Sequence, residues 1–291
     1  MNIGEKIKRL RTEKMMTQAE LSGEQVTRNM LSLIEKGKAV PSLQTLKYIA
    51  SRLNISAATL LADENEEKLL YKSAKISNIK LAYKNHNYRI CMELCKSFRD
   101  RDDEIDLLLS ESAMKIAVEE LFSDRIRLAC RLIDDAVFYG SRSMYNPKHI
   151  EAEAMLLFDY LGELSPSLVS ENIDVDIKNT ASLEGYCLDN DFFKYILCLK
   201  KVEQGEECEY GFENIAYEKH IECKKLMKSG EYEKAYRILS DILRIDQRLA
   251  GVVLYNIFSD LEECCINLGN AKSASGYSLE KVSQLERILS Q

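Results

Sequence analysis

Residues 17–37 read TQAELSGEQVTRNMLSLIEKG, and this stretch decides the fold. Thr17 followed three residues later by Glu20 is a capping box, which satisfies free N–H groups at the start of a short helix ending near Ser22. Leu21 points inward from that helix. Gly23, Glu24 and Gln25 make a tight connection, after which Val26 and Thr27 supply an apolar residue and an N-cap for a helix from Arg28 to Lys36. Gly37 is its stop. Leu31 and Ile34, three residues apart, face a core, whereas Arg28, Asn29 and Ser32 fall on the opposite side.

Outward from this pair of helices the same logic continues in both directions. Ile3, Ile7 and Leu10 recur at helical spacing among Lys6, Lys8, Arg9, Arg11 and Lys14, giving a first amphipathic helix to about Lys14. Downstream, Pro41 closes a loop and Ser42 caps a fourth helix whose Leu46, Ile49, Ala50 and Leu53 form an apolar stripe. Ser56 caps a fifth short helix through Leu61. A five-helix domain over residues 1–62 is therefore predicted. Charge divides there too. Residues 1–62 carry ten Lys or Arg and five Asp or Glu, a net of +5, which leaves −12 for the rest. Opposite signs mark two regions with different partners.

Residues 17–21, 31–37, 41–42 and 46–50 together resemble the XRE/lambda-repressor-type helix-turn-helix family. The resemblance covers about one fifth of the chain. It implies that Gln18, at the start of the second helix, meets a DNA phosphate and that exposed residues of the third helix read bases. Chemically, Arg28 suits a bidentate contact with guanine and Asn29 one with adenine. The candidate DNA-binding residues are thus Gln18, Thr27, Arg28, Asn29, Ser32, Lys36 and Lys38, the two lysines as phosphate neutralisers. Two features depart from the common pattern: the connection between the second and third helices is one residue shorter, and Leu33 stands where a polar residue is frequent. Leu33 reads either as a contact for a thymine methyl or as part of a core or interface.

Only three prolines and twelve glycines in 291 residues, with 46% hydrophobic residues, point to long helices and an all-α class with room for two domains. After the acidic run of residues 63–67, helical periodicity resumes without a Gly/Ser linker, so a helix starting near Glu66 opens a second domain, residues 66–291. Its clearest unit spans residues 211–245. There a helix through Ile221 and Lys228 turns at Gly230, and Ala235, Leu239 and Ile242 form the apolar face of the return helix. Cys223, twelve residues before Ala235, permits close helix contact. Gly269 and Ala274 repeat the turn and the small residue 39 positions later. Asn87 and Tyr88 before Cys91 and Cys95 fit the same pattern, residues 189–191 before Phe192 fit it more loosely, and residues 100–185 are degenerate. The pattern is similar to that of tetratricopeptide (TPR) repeats, which implies a stacked α-hairpin solenoid with a concave surface for peptides or partner helices.

Nothing in the sequence marks a catalytic, metal or cofactor site. The nine cysteines contain no Cys-x-x-Cys pair, and most lie in apolar helical runs, so all are expected to be reduced, with Cys91 and Cys95 filling core. His86, His149 and His220 lie apart from any Ser, Asp or Cys signature and are expected at the surface. Asn214 and Lys224 are polar residues of the kind that clamp a peptide backbone. With neither a secretory segment nor a stretch of membrane-spanning length, a cytoplasmic protein without membrane contact is expected.

The order of a helix-turn-helix domain before a TPR-like region resembles the peptide-responsive regulators typified by PlcR, PrgX and Rgg. The resemblance implies a non-enzymatic transcriptional regulator, a homodimer on an inverted repeat of double-stranded DNA, with a short peptide ligand in the second domain. Two alternatives stay open at this level: a cytosolic TPR-type interaction scaffold, and a repressor whose second domain only dimerises.

Overall fold

The computed structural model describes residues 2–145, 147–169, 190–208, 211–244 and 249–290. All regular structure among them is helical. The chain forms two compact units, residues 1–81 and 82–291, which divide inside a helix.

Five helices build the first unit: α1 (Ile3–Glu13), α2 (Gln18–Ser22), α3 (Arg28–Glu35), α4 (Leu43–Arg52) and α5 (Ala57–Leu61). Each starts at a polar side chain that accepts from the first turn: Asn2, Thr17, Thr27, Ser42 and Ser56. The capping box at Thr17 and Glu20 forms as expected, and α1 has a second one from Asn2 and Glu5. Ile7, Leu21, Leu31, Ile34, Ile49 and Leu60 converge on one core, each 1% exposed or less. α1 and α3 touch backbone to backbone: a Cβ on Gly4 would lie 1.9 Å from the Ile34 carbonyl oxygen, so only glycine fits there. α6 (Glu64–Lys84) follows directly and carries the chain across the division at Leu81.

The second unit runs on through α7 (Tyr88–Lys96), α8 (Asp103–Phe122), α9 (Ile126–Arg142) and α10 (Lys148–Gly162), then a 3-10 turn (Pro166–Leu168). α11 (Asp191–Gln204), α12 (Ile215–Lys228), α13 (Tyr232–Ile242), α14 (Gly251–Asn267) and α15 (Ala271–Ser290) complete it. From α7 onward each helix packs against the next, with the tightest pairs being α8 with α9, α12 with α13, and α14 with α15. Gly230 and Gly269 both take left-handed φ, +79° and +72°, so the 39-residue spacing read from the sequence marks two equivalent turns. Cys223 donates to the Ala235 carbonyl across the first hairpin, the close approach that its small side chain allows.

One feature goes beyond a linear stack, in which repeats touch only their neighbours. α14 also packs on α8, and α15 on α9. Asp124, just after α8, accepts from Gly251 N–H at 2.8 Å and pairs with Arg287 at 2.5 Å. Tyr160 of α10 takes a hydrogen bond from Asn256 at 2.9 Å. The last hairpin is thereby tied back onto the middle of the unit.

Two expectations need correction. His220 is completely buried, with Nδ1 at 2.6 Å from the Tyr195 hydroxyl and Nε2 at 2.8 Å from Asp260. Its polar sequence neighbours lie on other faces of α12, and its partners arrive from α11 and α14. Cys198 and Cys208 form a disulfide rather than two thiols, because the chain reverses at Gly205 and brings their Cα atoms to 5.7 Å. Cys91 and Cys95 are buried, in line with core filling. Cys187, Asp189 and Ile245 lie outside the described residues.

Candidate nucleic-acid interface

α3 is held by its inner face. Leu31 and Ile34 are sunk in the core, and Glu35 beside them is also buried. At one hundred degrees per residue, Arg28, Asn29, Ser32, Leu33 and Lys36 then occupy a single outward arc of about 140°. Arg28, Asn29 and Lys36 are exposed, Ser32 is half-buried and Leu33 is 43% exposed. No hydrogen bond or ion pair within the described residues engages the side chains of Arg28, Asn29, Lys36 or Lys38. Their donors are free for an external acceptor. Thr27 is otherwise occupied, its hydroxyl accepting from the Met30 N–H at 3.2 Å. It fixes the start of the helix and leaves its own O–H to donate outward.

The turn before α3 is fixed from α4. The Tyr48 hydroxyl accepts from Glu24 N–H at 3.2 Å, and Arg52 donates to the Glu20 carbonyl. Gln18 is anchored as well. Its amide donates to Glu35 Oε2 at 2.7 Å, and Glu35 in turn takes two hydrogen bonds from Arg11, at 2.6 and 3.1 Å. Arg11 also donates to the Met16 carbonyl at 2.8 Å. The bond to Glu35 raises the already high pKa of Arg11. Because the Gln18 amide nitrogen carries two hydrogens, one binds Glu35 and the other is available to an external acceptor.

The structure therefore places Arg28, Asn29, Ser32, Lys36 and Lys38 on or beside one exposed ridge, with Gln18 oriented from below by Glu35. The sequence reading did not single out the Arg11–Glu35–Gln18 chain. Glu35 sits inside an otherwise apolar inward stripe, and a carboxylate at an inward position signals a buried partner. In the second unit, Asn214 caps α12 through the Ala216 N–H and Lys224 is committed to Asp260 at 2.8 Å. Neither is a free peptide clamp in this arrangement.

Residues 7–60 match the helix-turn-helix family model. The immunity repressor protein of Bacillus phage phi105 is 32% identical over 83 residues, which cover 27% of this chain and 58% of that protein. The HTH-type transcriptional activator BcrR of Enterococcus faecalis is 33% identical over 99 residues, 34% of this chain and 48% of BcrR. The chain thus spans about half the length of the curated relatives it matches. Among solved structures, Bacillus thuringiensis PlcR in complex with the peptide PapR7 and DNA aligns over 99% of both chains at 16% identity and a TM-score of 0.24. The apo form of the competence regulator ComR from Streptococcus vestibularis aligns over 97% of this chain and 91% of its own at 18% identity and a TM-score of 0.22. Both scores are too low to establish a shared arrangement.

Proposed function

We propose that this chain is a sequence-specific DNA-binding transcriptional regulator that acts as a cytoplasmic homodimer on an inverted repeat and is controlled by a short peptide bound to its helical-hairpin unit. The observation that carries the DNA part is the α3 ridge, where Arg28 and Asn29 are exposed and unpartnered at the start of a helix rigidly seated by Leu31 and Ile34. Such a helix enters a major groove with its N-terminal residues against base edges. Lys36 and Lys38 at its far end neutralise the backbone. The matched relatives include a repressor and an activator.

Support for a dimer comes from the last hairpin, where Ile266, Leu268, Leu279 and Val282 are 45–70% exposed. Support for a peptide rests on architecture, since stacked hairpins offer extended grooves. A second reading is a repressor whose second unit only dimerises, through the same exposed apolar residues of the last hairpin. Operator affinity of the full chain, measured with and without peptides from a cell extract, separates the two. Peptide control requires different affinity for the two functional states, hence a shift in operator binding. An unchanged operator affinity at saturating peptide supports the dimerisation reading instead.

A further inference from the structure

A cavity of about 610 Å³ opens on the outer face of α9, opposite the 3-10 turn. Its size suits a small ligand or the end of a peptide. Arg127, Cys130, Arg131 and Asp134 line it from α9, spaced so that all four share one helix face, and Ser167 and Leu168 line it from the turn.

The charges in this cavity are unresolved, although the region outside the first domain has a net charge of −12. Arg89, Arg101, Arg125 and Arg142 each pair with a carboxylate. Arg127 and Arg131 have no partner among the described residues, even though Asp134 follows Arg131 by three on the same helix. Asp134 Oδ1 is itself buried without a hydrogen bond. An unsatisfied buried oxygen is costly and calls for an explanation. Between them, burial and the Asp134 carboxylate push the Cys130 thiol up to about 11, so it stays neutral and adds no competing anion.

We propose that this cavity binds a free peptide C-terminus, its carboxylate held by Arg127 and Arg131 and its last amide N–H donated to Asp134 Oδ1. Guanidinium forks match a carboxylate in bidentate fashion. A bare phosphate would satisfy the arginines but leave Asp134 facing a second anion, so the donor beside the carboxylate selects the peptide terminus. The inference rests on the peptide part of the reading above and is independent of the DNA part.

The test is affinity selection by the full chain, read by mass spectrometry, from a randomised N-acetylated pentapeptide library with free C-termini and from its C-terminally amidated counterpart. Enrichment from the free-acid library alone is expected, with affinity falling at least about tenfold in Arg127→Gln/Arg131→Gln at unchanged melting temperature. Asp134→Ala, which removes the unsatisfied Oδ1, should keep or raise the melting temperature yet weaken the selected peptides. No enrichment from either library, equal enrichment from both, insensitivity to the arginine variant, or displacement by equimolar inorganic phosphate overturns the assignment. A selected peptide that binds through the arginines without altering operator affinity leaves this site standing and contradicts only peptide control.

Discussion

Arg11 Nε lies 2.6 Å from Glu35 Oε1 in the first unit, with the two side chains 14% and 2% exposed. The pair joins α1 to α3, and through Glu35 it also fixes Gln18 at the start of α2. Because one partner is almost fully desolvated, removing the other strands a buried charge. Arg11→Ala is expected to cost roughly 3 kcal/mol in a urea titration followed by circular dichroism. Arg11→Met combined with Glu35→Leu should cost clearly less, since no charge is left behind. Equal losses in both would mean that the pair contributes shape alone.

Arg28 and Asn29 are predicted to set sequence preference, whereas Lys36 and Lys38 set affinity. Alanine at either of the first two should lower binding to the preferred duplex by about 1–3 kcal/mol and relax preference at one base position. The double variant Lys36→Ala/Lys38→Ala should weaken all duplexes alike and reduce the slope of log affinity against log salt by about two. Fluorescence anisotropy at several salt concentrations reads both effects.

Asp260 is expected to hold the second unit together. It is 5% exposed and takes bonds from His220 at 2.8 Å and Lys224 at 2.8 Å, linking α14 to α12 and, through His220, to Tyr195 of α11. Burial pushes its pKa up, but the bonds and charges of His220 and Lys224 outweigh that and the net shift is downward from 3.8. A lowered carboxylate pKa contributes stability above the unfolded value that disappears as pH falls through the folded one. Asp260→Ala should therefore destabilise by roughly 3 kcal/mol at neutral pH and lose less on acidification below pH 4 than the wild type does.

His149 pairs with Glu111 at 2.7 Å, joining α10 to α8, and its side chain is 38% exposed. The hydrogen bond to Glu111 raises its pKa from 6.5. A raised histidine stabilises fully below the unfolded value, and the contribution fades as pH climbs through the folded value. His149→Gln should flatten the pH dependence of the melting temperature above pH 6.5. Partial exposure keeps the effect under about 1 kcal/mol. A wild-type melting temperature that does not fall with rising pH across this window contradicts the assignment.

What could be read from the sequence follows from distance along the chain. The caps at Thr17, Thr27, Ser42 and Ser56 act on N–H groups three residues away, so local spacing discloses them. The turns at Gly230 and Gly269 repeat for the same local reason. His220 misled because Tyr195 is 25 residues before it and Asp260 is 40 after, and neither approach leaves a trace in the neighbouring residues. The Cys198–Cys208 link needs the reversal at Gly205 to be visible, and Asp124 meets Gly251 only after 127 intervening steps. The outward α3 ridge was legible from the Leu31 and Ile34 spacing, whereas Glu35, which orients Gln18, was signalled only by a carboxylate within that inward stripe.

Selection of duplexes from a random DNA pool by the full chain and by its Arg28→Ala/Asn29→Ala variant, run side by side near physiological salt, tests the central claim most directly. The account predicts an enriched inverted repeat for the wild type, with half-sites about one helical turn or a multiple apart, and loss of that enrichment in a variant that still folds. No enriched sequence with the wild type, or the same sequence enriched by both proteins, would contradict it.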